Sequence, residues 1–305
     1  MAKQINDEKM KLIDLAPFER VSNYSLLGVH DISILIKTLE REAHLIQLLS
    51  SIQKYGFQGP ILIADDSKEP YGKSVKAKFP DLQIHYLELP YDTGTAEGRN
   101  KMLKLVQTPY FLLCDDDFVF DKRTRIPLMI KLLNDFNLDI LGGVFRQHNR
   151  KTRLGKYLLQ FNKFLNRFDL TLPSYQFYEY HAGLSVEKGR IALFPVAYMN
   201  PVTICDLTHN FFLARTEKVK AFEGWNPLLK GGEHQNFFIR AKLAGLKVGT
   251  TRKCGVIHDQ WTPNSETYIA LRNRGNEYQM IALEEFGVDR LDNYREVLGG
   301  TFGLP

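Results

Sequence analysis

The stretch YFLLCDDDFVF, residues 110–120, places three consecutive carboxylates between two apolar runs. Asp115, Asp116 and Asp117 directly follow an apolar run that is typical of a buried strand. Acidic side chains normally lie on solvated surfaces, and burying a charge is costly unless it is paired or binds a metal. The triplet therefore predicts a functional site where this strand ends.

The spacing of the acids within the triplet suits a divalent metal ion. Asp115 and Asp117 lie two residues apart, so their side chains share one side of an extended backbone. Carboxylate oxygens suit Mg²⁺ or Mn²⁺, which usually complete their shell with water and a substrate diphosphate. Aspartate is also favoured at helix N-caps and in turns, and that alternative would be the better one for an isolated Asp-x-Asp. The position directly after an apolar strand favours the metal site.

Strand and helix patterns alternate on the N-terminal side of the triplet. Strands are predicted at 32–36, 61–64, 82–89 and 110–114, and helices at 40–55 and 96–106. This alternation is typical of an α/β fold with a mostly parallel central sheet flanked by helices, which binds ligands beyond the carboxyl ends of its strands. After residue 145 the pattern is less regular, with strands predicted at 206–214, 247–251 and 256–257 and a helix at 233–243.

Composition excludes several classes of protein. The 305 residues are 44% hydrophobic and 25% charged, as in soluble globular proteins, and the net charge of +5 is spread too evenly to indicate nucleic-acid binding. Three cysteines without a Cys-x-x-Cys pair favour buried thiols in a reducing compartment. The N-terminus does not resemble a signal peptide, and no apolar run approaches the ~18 residues of a membrane span. We expect a cytoplasmic protein without a transmembrane segment, whose contact with a membrane would be peripheral, at its inner face.

Two segments near the triplet suit a nucleotide ligand. Asp65 and Asp66 follow a predicted strand, where a carboxylate can accept hydrogen bonds from a base or a ribose, although an ordinary Asp turn explains them equally well. Residues 94–100 place two glycines and Arg99 at a helix start, which resembles a phosphate cradle. This segment is neither a Walker A loop nor a dinucleotide fingerprint.

Two residues of the second half complete the candidate site. Glu233 follows two glycines at a helix start and suits a general base, although it also complements the helix dipole, an effect of ~0.3–1 kcal/mol. His258 ends a predicted strand and suits a third metal ligand, with Asp259 as its orienting neighbour. A single histidine is more often structural, so this assignment depends on the metal site.

Taken together, these segments resemble glycosyltransferases of the GT-A fold, similar to family 2 over roughly residues 30–260. A closer resemblance is to the animal β-1,4-N-acetylgalactosaminyltransferases, of the ganglioside GM2 synthase type. The resemblance is carried by IADDS at 63–67, EGRN at 97–100, DDDF at 115–118, NFFLARTEKV at 210–219 and EHQNFF at 233–238. Several separated motifs in one order are far more specific than any one of them.

The resemblance implies a metal-dependent, inverting transfer of a sugar, with GalNAc favoured, from a UDP-sugar to a hydroxyl of a saccharide or glycoconjugate acceptor. It implies Mn²⁺ (or Mg²⁺) held by Asp117, Asp115 and His258, and Glu233 as the catalytic base. With the acidic strand ends, it gives a donor-binding set of Thr38, Glu40, Asp65, Asp66, Arg99, Asp115 and Asp116. Asn236 departs from the pattern, because it stands where an acid is expected in the animal enzymes.

The sequence patterns also predict a division of the chain into sub-domains that pack together. We predict an N-terminal extension (1–30), a nucleotide-sugar-binding half (31–145), a less regular acceptor-binding and catalytic half (146–265) and a C-terminal helical segment (266–305). Aromatic residues of the second half suit stacking on acceptor sugars, although core packing explains each of them at least as well. These residues are Tyr175, Phe177, Tyr178, Tyr180 and Trp225.

Two other functions remain open at this point. A metal-dependent phosphohydrolase also uses clustered acids, but it normally needs more His and Asp ligands around two metal ions. A sugar-binding module without catalysis would need neither the acidic triplet nor Glu233.

Overall fold

The computed structural model describes residues 31–148, 175–178, 180–187, 189–259, 264–288 and 291–293. Four parallel strands form one half of its central sheet in the order β4-β1-β2-β3. They are β1 (Ile32–Thr38), β2 (Ile61–Asp65), β3 (Ile84–Glu88) and β4 (Tyr110–Asp115). The predicted α/β fold with a mostly parallel sheet is confirmed.

Strands from the second half of the chain extend the same sheet beyond β4. These are β6 (Ile140–His148), β10 (Thr203–Cys205), β11 (Phe212–Arg215) and β12 (Val248–His258). Two further strands join this sheet: β5 (Phe118–Val119) pairs with β12, and β7 (Tyr175–Tyr178) pairs with β6. β11 runs antiparallel to β4 and β6, whereas β12 runs parallel to β6. The predicted boundary at 145/146 lies inside β6, so the two halves share one sheet. A second sheet joins β8 (Gly183–Glu187), β9 (Arg190–Phe194) and β13 (Leu291–Asn293).

Eight helices lie within the described residues. They are α1 (Glu42–Tyr55), α2 (Gly72–Lys78), α3 (Thr95–Leu105), α4 (Ile126–Asp135), α5 (Thr216–Ala221), α6 (Glu233–Leu243), α7 (Glu266–Arg272) and α8 (Gly275–Glu284). The predicted helix at 233–243 matches α6, and α7 and α8 form part of the predicted C-terminal helical segment. Within these ranges no helix is both long and apolar enough to cross a membrane.

The core lies on both faces of the sheet. Ile34 and Ile36 of β1 pack with α1 and α4, whereas Leu35 packs on the opposite face with α3 and α6. Because both faces are covered, all three side chains are fully buried, as expected for a central parallel strand. Trp225 is 1% exposed and stacks on Phe237 with ring centroids 4.6 Å apart. Trp225 is therefore a core residue. Core packing, and not stacking on an acceptor sugar, is the role that the structure gives it.

Some sequence predictions differ from the structure or lie outside its described part. The strand predicted at 206–214 begins only at Phe212, because residues 206–211 form a loop. The two strands predicted at 247–251 and 256–257 form one strand, β12, with an irregularity between Thr250 and Gly255. The three cysteines are buried and unpaired, as predicted. Residues 1–30 and the side chains of the aromatic residues at 175–178 lie outside the described part.

Candidate active site

The carboxyl ends of the parallel strands gather the predicted site residues at one edge of the sheet. Thr38 pairs with Asp65 where β1 and β2 end, and Lys37 pairs with Asp115 where β1 and β4 end. The short pairing of β5 with β12 then places His258 opposite Phe118, directly after the triplet. The topology therefore brings the acidic triplet and a late histidine together, as the sequence predicted.

Asp117 is held from two sides. Its Oδ2 atom accepts hydrogen bonds from Arg41 Nη2 at 2.9 Å and from His258 Nε2 at 3.0 Å. Burial alone would raise the pKa of Asp117, but the hydrogen bond and charge of His258, together with the charge of Arg41, lower it below its usual range. Burial would lower the pKa of His258, but Asp117 raises it overall.

The other carboxylate oxygen of Asp117, Oδ1, is a candidate metal ligand. Oδ1 is buried and has no hydrogen-bond partner among the described residues, which is costly for a carboxylate oxygen. Oxygen and imidazole donors suit Mn²⁺ or Mg²⁺. Within the described ranges no three His, Cys, Asp or Glu side chains form a ready metal cluster, and Asp115 is paired with Arg99. The Asp117–His258 pair therefore fits a divalent cation, with Asp115 beside it.

Asp116 faces the interior of the protein. Its Oδ2 accepts a hydrogen bond from Thr38 Oγ1 at 2.8 Å, and its Oδ1 accepts one from Arg41 Nη1 at 2.6 Å. Burial raises the pKa of Asp116 to about 7, although Arg41 and Thr38 act in the opposite direction. Two predicted donor-binding residues, Thr38 and Asp116, thus bind each other, and Arg41 joins Asp116 to Asp117.

Asp115 and Glu233 are joined by one guanidinium group. Arg99, on α3, donates from Nη1 to Oε1 of Glu233 at 2.5 Å and from Nη2 to Oδ1 of Asp115 at 2.8 Å. Its guanidinium carbon also lies 5.6 Å from the ring of Trp225, and the residue is only 2% exposed. Arg99, predicted near the donor, therefore faces two carboxylates.

Glu233 begins α6 directly after Gly232, which has a left-handed φ of 68°. Arg99 occupies Oε1, and among the described residues no hydrogen bond reaches Oε2. The next residue, His234, bonds through Nδ1 to Oδ1 of Asn210 at 2.6 Å, and Asn210 Nδ2 lies 3.4 Å from Oδ2 of Asp115. Asp115 is thus approached from two sides by segments that belong to α3 and to the loop before β11.

The remaining donor-binding candidates are already bonded within the protein. Asp65 accepts hydrogen bonds from Ser67 N at 2.8 Å, Tyr71 N at 3.2 Å and the Tyr86 hydroxyl at 2.5 Å, which matches the Asp turn that the sequence left open. Its fully buried carboxylate shapes the loop after β2. The side chain of Glu40 accepts a hydrogen bond from Lys68 N at 2.7 Å.

The structure does not form the phosphate cradle predicted at 94–100. The amide of Gly94 donates to Oδ2 of Asp66 at 2.8 Å, and the other oxygen of Asp66 pairs with Lys37. The next two amides, of Thr95 and Ala96, donate to the carbonyl groups of residues 230 and 229. The prediction was wrong because long-range contacts, which local sequence does not reveal, already occupy the amides at this helix start.

Sequence reasoning missed several residues that hold this site together. Arg41 bonds to two acids of the triplet, yet it follows Glu40 without any recognisable motif. Asn210 and His234 lie inside the segments that carry the resemblance, but the sequence alone indicates no role for either. Asn236 was noted as a departure; it is buried and donates to the carbonyl of Ala282 at 2.9 Å, facing the C-terminal segment.

Comparison with known proteins identifies relatives of the chain. The model of the family described as glycosyl transferase family 2 matches residues 33–192. The chain is 29% identical over 260 residues to β-1,4 N-acetylgalactosaminyltransferase 2 of Mus musculus, covering 85% of this chain and 44% of that protein. It is 30% identical over 264 residues to β-1,4 N-acetylgalactosaminyltransferase 1 of Homo sapiens, covering 80% and 43%. The chain thus spans less than half the length of these two relatives.

A solved structure supports the fold. The crystal structure of GalNAc-T7 with UDP, GalNAc and Mn²⁺ superimposes with a TM-score of 0.55 at 11% identity, covering 83% of this chain and 47% of that one. At this identity the likeness concerns the fold alone, and it agrees with the GT-A fold predicted from the sequence.

Proposed function

Because the chain belongs to glycosyl transferase family 2, we propose that it transfers a sugar from a UDP-sugar to a hydroxyl group of a saccharide or glycoconjugate acceptor. The observation that carries this proposal is the buried Arg99, which joins Glu233 to Asp115, two residues before Asp117, whose buried Oδ1 has no hydrogen-bond partner among the described residues. GalNAc is the favoured sugar, since the relatives are named for it and a structure of the same fold holds UDP, GalNAc and Mn²⁺.

A divalent cation, Mn²⁺ or Mg²⁺, would be held by Asp117 and His258, with Asp115 beside them. When bound, it would offset the negative charge that develops on the UDP leaving group. Before a ligand binds, Arg41 and His258 keep the carboxylate of Asp117 ionised and fixed in place. The buried Oδ1, which has no hydrogen-bond partner in the described part of the chain, supports the assignment of Asp117 as the main ligand.

Glu233 is the proposed catalytic base. Arg99 fixes one carboxylate oxygen, which leaves Oε2 to accept the proton of an acceptor hydroxyl. That hydroxyl oxygen forms a bond to the anomeric carbon of the sugar while the bond from this carbon to the UDP oxygen breaks. A single displacement of this kind inverts the anomeric configuration.

The nucleotide would lie beyond β1 and β2. Thr38, Glu40 and Asp66 are the proposed uridine-side residues, since they lie at or just beyond the ends of these two strands. The carboxylates of Asp65, Asp66 and Asp116 already bond within the protein, so these three acids would act indirectly, by shaping the loops and by holding Thr38 in place.

The two alternative functions are less well supported. A phosphohydrolase with two metal ions would need more ligands than Asp117, Asp115 and His258, and the described residues form no cluster of three. A sugar-binding module without catalysis would have no use for a carboxylate that a buried arginine holds in place. The cytoplasmic setting remains a prediction from the sequence.

A binding experiment tests this proposal. Titration of the protein with UDP, GDP and CDP, each with and without Mn²⁺, should give tight binding only for UDP with Mn²⁺. In Asp117→Asn, Mn²⁺ should no longer increase the affinity for UDP. In Asp135→Asn, a change at an exposed surface ion pair, Mn²⁺ should increase the affinity as it does in the wild type. Equal binding of all three nucleotides, or binding that is indifferent to Mn²⁺, would contradict the proposal.

A further inference from the structure

The C-terminal segment 264–288 packs across the strand ends that carry the site. At one end, Ser265 Oγ donates to the carbonyl of Glu40, just beyond β1, at 3.3 Å. Further along, Arg274 Nη2 donates to Asp92, in the loop after β3, at 2.7 Å. The segment thus spans the edge of the sheet where the nucleotide is proposed to bind.

Helix α7 of this segment approaches the acidic triplet through Tyr268, which contacts Arg41. The guanidinium carbon of Arg41 lies 4.6 Å from the centroid of the Tyr268 ring, and Arg41 Nη1 donates to the Tyr268 hydroxyl at 3.3 Å. The same guanidinium group binds Asp116 and Asp117. Tyr268 is therefore separated from both carboxylates by a single side chain.

Arg272 lies one turn further along α7. Its Nη1 atom donates to the hydroxyl of Tyr268 at 2.8 Å, which orients the guanidinium group towards the same site. The pKa of Arg272 is raised, first by Tyr268 and further by the charge of Asp117, so this arginine lies within electrostatic range of the triplet.

Arg272 differs from the other arginines around the site. Arg41, Arg99 and Arg274 each form an ion pair with a carboxylate. Arg272 is exposed and, among the residues that the structure describes, forms no ion pair. An exposed guanidinium group that Tyr268 holds next to the proposed nucleotide site, without a carboxylate partner among the described residues, can bind an anion of the ligand.

We infer that Arg272 binds the diphosphate of the nucleotide-sugar donor. This inference rests on the proposed function. A planar guanidinium group matches phosphate oxygens with two parallel hydrogen bonds, and it retains its charge as the leaving group becomes more negative. Arg272 would approach the diphosphate from α7, while Asp117 and His258 would hold the cation on the side of the sheet.

A matched pair of variants separates this role from a purely structural one. Arg272→Gln removes the proposed ligand, whereas Arg274→Gln removes an equal charge from the same segment at an ion pair with Asp92. Arg272→Lys keeps the charge but loses the second parallel hydrogen bond. Equilibrium dialysis with labelled UDP and labelled uridine, both with Mn²⁺, measures the affinities.

We expect Arg272→Gln to weaken UDP binding roughly tenfold to a hundredfold and to leave uridine binding unchanged. The UDP affinity of Arg272→Lys should lie between those of the wild type and Arg272→Gln. Arg274→Gln should bind UDP as the wild type does. Wild-type UDP affinity in Arg272→Gln, or an equal loss for UDP and uridine, would overturn the inference and leave the proposed function standing. A wild-type protein that binds no UDP would instead refute the proposed function.

Discussion

Nη1 of Arg99 lies 2.5 Å from Oε1 of Glu233, while Nη2 of the same side chain lies 2.8 Å from Asp115. One guanidinium group thus fixes the distance between the proposed base and the acidic end of β4. Arg99 is buried, and Asn100, the next residue, bonds to the backbone of Trp225, which leads into the segment before α6. The EGRN motif therefore serves to align two distant parts of the site.

Arg99→Lys should lower turnover more than donor binding. A lysine ammonium is a point charge that cannot reproduce the two-pronged contact, so Glu233 would lose its fixed position. Because small misplacements of catalytic groups are costly, we expect kcat to fall roughly a hundredfold with little change in the donor KM. Steady-state kinetics measure this split. Arg240→Lys, the same exchange at the partly exposed pair with Glu285, is the control, and an unchanged kcat in Arg99→Lys would refute the alignment role.

Glu233→Gln should separate binding from chemistry. The amide keeps the shape of the side chain and an oxygen for Arg99, but it cannot accept the proton of the acceptor. UDP affinity should stay within a few-fold of wild type, whereas transfer should fall by roughly 10²–10⁴. Wild-type turnover in this variant would mean that another group is the base.

Gly142→Ala should destabilise the protein and disturb the site together. A Cβ atom at Gly142, on β6, would overlap the hydroxyl of Thr208 and lie 2.6 Å from its Cγ2. Overpacking of this kind costs about 1–3 kcal/mol, and Thr208 begins the short stretch that carries Asn210 to Asp115. Urea unfolding measures the loss. The second substitution Thr208→Ala removes the two nearest atoms but leaves Cβ of residue 208 at 2.7 Å, so it should restore only part of the stability. Wild-type stability in Gly142→Ala alone would contradict the predicted clash.

His234 should make the protein sensitive to acid. Burial, and then the charge of Arg99, lower the pKa of His234 from 6.5 to about 3. Because the unfolded chain binds this proton first, the stability from His234 is complete above pH 6.5 and is lost progressively as the pH falls towards 3. At pH 5 the free energy of unfolding should be lower than at pH 7 by about 2 kcal/mol from this residue alone.

Urea unfolding at pH 7 and pH 5 checks this contribution. In His234→Gln the difference between the two pH values should shrink by about 2 kcal/mol. The exposed His85, replaced by glutamine, controls for the loss of an imidazole group. An unchanged pH dependence in His234→Gln would show that this ring is not held neutral in the folded protein.

The fold was predictable because local patterns carry it. Apolar runs that are followed by acidic residues predicted β2 and β4. Apolar residues at helical spacing, preceded by a pair of glycines, predicted α6. Since the carboxyl ends of parallel strands lie at one edge, the placement of Asp66 and Asp117 on the same edge could be expected from the alternation of strands and helices. The position of His258 depends in addition on the pairing of β12 with β5, which the sequence did not predict.

The contacts within the site were not predictable in the same way. Arg99 was placed near the donor because arginines at helix starts often bind phosphate, yet its partners lie 16 and 134 residues away in the chain. Arg41 had no motif around it, and Asn210 was assigned to a strand although it lies in a loop. Such contacts depend on how loops pack over the sheet, which periodicity does not encode.

The central claim, metal-dependent transfer from a UDP-sugar, is tested most directly by release of UDP from UDP-GalNAc in the presence of Mn²⁺ and a panel of saccharide acceptors. Wild type should release UDP and form a β-linked product. Asp117→Asn should do neither, and Asp135→Asn should match wild type. UDP release at the wild-type rate in Asp117→Asn, or an α-linked product, would contradict the account.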